Sequence, residues 1–280
     1  MKKNLAILTA LLLVFTIFNC GPEPTPESVN QTVFYDGPDP ATFTTALTGG
    51  TTYTGNSSGP KPLASSPYYY ELWSEKNSST TKLTWYGTSQ GGGAAFGAEW
   101  DNNDNFLGRV GYYWNEGKPY TYYKNLFCAY NFTVGGTYGG WSYIGIYGWS
   151  RNTTISKTTD LIEYYIIDSS HPGYTFPFVP YGGTLKGSFI VDGATYKVYT
   201  APRPASAGAI VSGHPGFTQY FSVRQSRRSA GVISITEHFK QWEKMGMELG
   251  SNMYEARFKV EVGGGTGWFN STFIMFQQKP

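Results

Sequence analysis

From residue 66 onward the chain breaks into short apolar and aromatic runs in which polar positions recur at every second place. YYYELW, KLTWY, AAFGAEW, FLGRVGYYW, YTYYKNLFCAYNF and WSYIGIYGW make a first series, and GTLKGSFIV, ATYKVYT, FTQYFSVRQ, GVISITEHF, YEARFKVEV and WFNSTFIMF a second. Between them stands LIEYYIID, residues 161–168. Gly, Asn and Ser punctuate the runs, so the pattern predicts an all-β chain built as a two-sheet antiparallel sandwich or jelly roll. One segment departs from period two. In Ile235 to Leu249 the apolar residues Phe239, Trp242 and Met245 or Gly246 recur at spacings of three and four, which predicts a single amphipathic helix packed on a sheet and ended at Gly250.

The LIEYYIID run also contains a chemical question. Side chains of a strand alternate between faces, so Ile162, Tyr164 and Ile166 share one side while Glu163 and Tyr165 share the other. A carboxylate in such a strand needs hydrogen-bond partners or solvent, because unpaired burial costs roughly several kcal/mol. A solvent-facing position on a half-buried strand and a place in an aromatic cleft both satisfy it. Glu261 in FKVEVGGGTGW is a second glutamate on an apolar strand. Two carboxylates are what glycoside hydrolysis needs, one to protonate the leaving oxygen and one to attack or to activate water. Spacing along the chain does not bring the two together.

Composition narrows the class. With 35 Gly, 23 Tyr, 18 Phe and 8 Trp against 14% charged residues, the chain favours turns and strands over helices. Lys2 and Lys3 before the apolar run Leu5 to Phe18 have the form of a secretory signal, expected over residues 1–20. Cys20 stands where a lipoprotein signal places its acylated cysteine, though Asn19 before it departs from the usual small residue; lipid anchoring and plain secretion are both open. Either way the protein is expected outside the cell, secreted or anchored at its surface, and in contact with a membrane only through such a lipid. Residues 21–60, rich in Pro, Gly, Ser and Thr, read as a tether leading into irregular or edge-strand structure, with the main domain over 61–280. Removal of Lys2 and Lys3 takes 21 basic residues to 19, against 19 acidic, and RQSRR (224–228) is the one basic cluster, so nucleic acid is not an expected partner.

Other chemistries find little support. GTSQG (87–91) matches the nucleophile-elbow pattern, but more glycines follow where a helix should begin, so it reads as a glycine-rich hairpin. His171, His214 and His238 lack metal-ligand spacing, and no phosphate-binding or dinucleotide fingerprint occurs. No metal site is expected.

Taken in order, YYYELW (68–73), GAEWDNNDNF (97–106), YIGIYGW (143–149), LIEYYIID (161–168), FTQYFSVRQSRR (217–228), MGMELGSN (245–252) and MYEARFKVE (253–261) resemble the family 11 glycoside hydrolases, the small jelly-roll endo-β-1,4-xylanases, over residues 66–276. The resemblance implies a curved two-sheet jelly roll with a cleft on its concave face, acting as a monomer on xylan without a cofactor. It implies a retaining mechanism with Glu163 as nucleophile and Glu261 as acid/base, the acid held protonated by repulsion from the ionised nucleophile. It matches Tyr147 and Tyr165 to tyrosines beside the nucleophile, Arg203 and Gln219 to polar residues on that side of the cleft, Asn105 to the residue touching the acid/base, Trp73 to a sugar-stacking platform and Ile210 to the tip of the thumb loop. Trp149 and Trp100 match family positions that serve packing or substrate. A non-catalytic xylan-binding jelly roll and an endo-β-1,4-glucanase of the related clan are the alternatives.

Three departures from the family pattern bear on the cleft. NTTISKTTD (152–160) is inserted before the nucleophile strand, which implies a different rim. The thumb reads AGAIVSG (207–213), without the usual proline, which implies looser closure. Lys259 lies two residues from Glu261; facing the cleft, it would favour ionised Glu261 and weaken it as an acid.

Overall fold

The computed structural model describes residues 25–76, 80–101, 104–152 and 161–280. Its alternating runs form two stacked sheets. The larger follows the order Glu27–Ser28, Thr184–Val191, Ala194–Pro204, Gly216–Arg224, Leu161–Ser169, Ser142–Arg151, Glu255–Val262, Phe106–Tyr113, Tyr69–Ser74 and Lys61–Pro62. The smaller runs Ala230–Ser234, Asn125–Gly136, Gly267–Lys279, Phe96–Trp100, Lys82–Trp85 and Thr51–Thr54. Pairing is antiparallel except for Leu161–Ser169 with Gly216–Arg224 and Glu27–Ser28 with Thr184–Val191. The fold is the all-β jelly roll that the sequence predicts.

Period two decides what lies between the sheets. Ile162, Tyr164 and Ile166 enter the main core, and so do Phe258, Val260 and Val262. Phe258 meets Tyr130 and Phe132 of the smaller sheet at ring distances of 4.9 and 5.9 Å. The alternate residues of the same strands face away from that core and form the floor of a cleft.

The helix is shorter than its apolar spacing suggests. It spans Ile235–Lys244, with Phe239 and Trp242 fully buried. Gly246, not Gly250, ends it: at φ +73° it lets the Met247 amide donate back to the Trp242 carbonyl, which also accepts from the Met245 amide. GTSQG joins Lys82–Trp85 to Phe96–Trp100 through a short 3-10 turn, Gly91–Gly93, as the hairpin reading requires.

The stretch read as a tether leading into irregular or edge-strand structure runs along the sheets from residue 25 onward. Thr51–Thr54 pairs with Lys82–Trp85 as the edge strand of the smaller sheet, Pro40 is buried, and Phe43 stacks on Phe273 at 4.1 Å. It forms a strap tied by main-chain bonds and a few aromatic anchors. The signal segment and Cys20 lie outside the described residues, as do positions 153–160 of the insertion.

Candidate active site

Glu163 owes its surroundings to register. Its strand places Gln219 opposite it on one side and Trp149 on the other. Tyr147, two residues along the same face from Trp149, donates its hydroxyl to Glu163 Oε1 at 2.7 Å, and Gln219 Nε2 donates to Oε2 at 2.6 Å. The Trp149 indole donates to the Tyr147 oxygen at 2.5 Å, so this tryptophan fixes the tyrosine that holds the glutamate. Glu163 is buried. Burial raises its pKa above the ordinary carboxylate value, and the charge of Glu261 adds to the rise; Lys259, Gln219 and Tyr147 oppose it.

Glu261 stands on a strand with a period-two charge pattern. Glu255, Arg257, Lys259 and Glu261 all point away from the main core, and each is buried. Lys259 faces the cleft side, only 2% exposed. Its ammonium donates to Glu261 Oε2 and lies 3.8 Å from the centre of the Tyr147 ring and 4.3 Å from that of Tyr165. Gly145 is its cross-strand partner. At φ +156°, with the Ile166 carbonyl oxygen 2.1 Å from where a Cβ would sit, this position excludes a side chain. The chain Glu163–Tyr147–Lys259–Glu261 therefore joins the two carboxylates. Repulsion between them, expected to keep Glu261 protonated, acts across an intervening cation.

Beside this chain lies a buried four-ion cluster. Arg109 bonds Glu71 Oε2 at 2.6 Å and Glu255 Oε1 at 3.1 Å, while Arg257 bonds Glu71 Oε2 at 2.8 Å and also Glu255. Arg109 further stacks 4.4 Å over the Tyr147 ring. Burial works to raise the Glu71 pKa, but Arg109 and Arg257 outweigh it and hold the carboxyl at about 2. Two cations and two anions leave the cluster neutral.

Both glutamates open onto one cleft of about 850 Å³. Trp73, Asn105, Tyr147, Tyr165, Arg203, Ile210 and Gln219 all line it, so every candidate site residue shares one surface. Ile210 is 41% exposed on the thumb, whose base is tied by a contact of 3.0 Å between His214 Nε2 and the Ala207 carbonyl. Asn105 Oδ1 is buried with no hydrogen-bond partner, and among the described residues no hydrogen bond joins Asn105 to Glu261, which has Lys259 instead. Trp100 packs on Phe106 away from the cleft, at 5.2 Å. Arg228, without a role in the sequence reading, pairs with buried Asp168 at 2.6 Å, which also accepts from Tyr130 and Tyr196. Sequence reasoning missed Glu71, Arg109, Glu255 and Arg257. Their signal was present in EARFKVE, where charges at every second position of an otherwise apolar strand require partners on one face.

A curved sheet with two buried glutamates on the floor of an aromatic-walled cleft defines the class of glycan-cleaving jelly rolls. The family model described as glycosyl hydrolases family 11 matches residues 65–272, and the chain belongs to that family. It is 41% identical over 207 residues to an endo-1,4-beta-xylanase of Neocallimastix patriciarum, covering 74% of this chain and 57% of that protein. It is 38% identical over 224 residues to endo-1,4-beta-xylanase C of Fibrobacter succinogenes, covering 80% of this chain and 34% of that one. The chain thus spans about a third to just over half of these two relatives. The crystal structure of wild-type ENZbleach xylanase superposes with a TM-score of 0.80 at 48% identity, covering 90% of this chain and 95% of that chain.

Proposed function

We propose that the chain is a retaining endo-1,4-β-xylanase that hydrolyses internal β-1,4-xylosidic bonds of xylan by double displacement. The observation that supports it is the unequal environment of two glutamates sharing one cleft. Glu163 accepts two hydrogen bonds from neutral donors, which hold and orient its carboxylate, while Lys259 acts on it without a hydrogen bond. Such a group suits attack on the anomeric carbon. Glu261 is in contact with the Lys259 ammonium instead and is read as the group that passes a proton to the leaving oxygen and then takes one from water. Trp73 offers a ring face for a sugar, and Arg203 and Ile210 border the nucleophile side. A polymeric substrate fits an exported enzyme, whether free or held by a lipid at Cys20.

The test is release of reducing ends from xylan, with carboxymethylcellulose as control and product anomers followed by NMR. β-Anomers at first appearance are expected. Binding without new reducing ends would favour a xylan-binding module, and preferential cleavage of the cellulose derivative an endoglucanase. Initial α-anomers would overturn retention.

A further inference from the structure

The charges around the two glutamates can be counted. Arg109 and Arg257 are matched by Glu71 and Glu255, so that cluster is neutral by itself. What remains around Glu163 and Glu261 is Lys259, with Arg203 on the cleft lining. Around the ammonium stand Arg257 and Glu261 on its own strand, Tyr147 on Ser142–Arg151, Glu163 and Tyr165 on Leu161–Ser169, and Arg109 on Phe106–Tyr113. The titratable cation in contact with Glu261 is Lys259.

From this arrangement we infer that Lys259 and Glu261 work as one proton-holding dyad, Lys259 storing the proton that Glu261 delivers to the leaving sugar. The inference rests on the reading of Glu261 as acid/base. In the first step a Glu163 carboxylate oxygen bonds to the anomeric carbon and the bond to the leaving oxygen breaks, its electron pair going to that oxygen. The oxygen takes a proton from Glu261 as Glu261 takes one from the Lys259 ammonium, leaving a neutral amine beside a carboxylate. In the second step water bonds to the anomeric carbon, Glu163 leaves as carboxylate, and the proton of that water returns through Glu261 to the amine. Atoms and charge balance in both steps. Burial supports the exchange, because desolvation lowers the lysine pKa while the two carboxylates pull it back up. Lys259 touches no reacting atom in this scheme; it is a positioning residue that sets where the proton rests.

The scheme predicts a direction that simple pairing does not. If Lys259 only favoured ionised Glu261, replacing it by Met would raise the pKa of the acid and move the alkaline limb of kcat/KM upward. If the dyad holds the proton, the wild-type limb reports loss from lysine, and the limb in Lys259→Met reports a carboxylic acid alone. It then falls by about one pH unit or more, since tuned carboxyls titrate near 6–7. Lys259→Arg keeps the charge but cannot give up its proton, so it should lose the wild-type alkaline limb as well. The measurement is kcat/KM against pH for a xylo-oligosaccharide and for a dinitrophenyl xylobioside, whose leaving group needs no proton, with thermal unfolding of each variant as a fold control. An alkaline limb that rises or stays put in Lys259→Met overturns the dyad. So does a wild-type limb in Lys259→Arg, or an equal shift on the dinitrophenyl substrate, which would trace the change to Glu163. Wild type that cleaves the dinitrophenyl substrate but no xylo-oligosaccharide would sink the xylanase reading itself.

Discussion

Tyr147 donates its hydroxyl to Glu163 Oε1 at 2.7 Å, so the carboxylate read as the nucleophile depends on a phenol from the neighbouring strand. Hydrogen bonds to charged groups are worth about 1.5–3 kcal/mol. Tyr147→Phe should therefore lower kcat/KM on xylan by roughly ten- to a hundredfold. The sign of its pH effect follows from Glu163, whose pKa burial already raises. Activity requires the ionised form and is lost as pH falls through that raised value. Removing a donor to the ionised form raises it further, so the acid limb should move to higher pH. A limb that stays in place would mean that Tyr147 does not tune this carboxylate.

The two glutamates should fail differently, because one makes a bond and the other moves a proton. Glu163→Ala is expected to abolish turnover of every substrate. Glu261→Ala should keep measurable reaction with an activated aryl xylobioside, and azide should accelerate it by replacing base-activated water. Equal loss in both variants on that substrate, without an azide effect, would refute the assignment.

The four-ion cluster under the cleft gives a prediction about stability. Arg109 bonds Glu71 and Glu255, all three largely buried, and Arg109→Met would leave two buried carboxylates to share Arg257 alone. Breaking a buried pair from one side typically costs about 3–5 kcal/mol. Glu71 has a folded pKa of about 2, below its ordinary value of 4.5. Its contribution is thus present above pH 4.5 and lost as pH falls toward 2. Urea midpoints of wild type and variant should differ widely at pH 7, begin to converge as pH falls below 4.5 and meet toward pH 2. A gap that is constant with pH would show that the loss is packing and not charge.

Where the sequence was legible, a single periodicity sufficed. LIEYYIID announced both the core face of its strand and the isolation of Glu163, and the aromatic runs announced two sheets. The cluster was less legible because its members lie on separate strands; Glu71, Arg109 and Lys259 become a row only when Tyr69–Ser74, Phe106–Tyr113 and Glu255–Val262 are set side by side. The helix end was misplaced for a local reason. Two glycines with positive φ follow it, and the first already closes the helix, through the Met247 amide and the Trp242 carbonyl.

Residues 25–60 escaped as a structural element because their anchors are sparse. Tyr53 stacks on Tyr70 at 3.8 Å, Phe43 stacks on Phe273, and Asn131 Nδ2 donates to the carbonyls of Pro40 and Phe43, each at 3.1 Å. Thr51–Thr54 also covers the edge of Lys82–Trp85, which would otherwise offer unpaired backbone groups to other chains. Phe43 and Tyr53 are half-buried, so each is worth roughly half of the about 1.5–3 kcal/mol of full burial, and a domain of this size loses about 2–4 °C of Tm per kcal/mol. A chain of residues 61–280 should therefore unfold about 10 °C below one of residues 25–280 and aggregate more readily. The anchors sit away from the two glutamates, so the shorter chain should retain the pH profile of the longer one at temperatures where both stay folded. Scanning calorimetry of the two chains decides it: equal Tm values would return residues 25–60 to the status of a tether, and a changed pH profile would show that the strap also shapes the cleft.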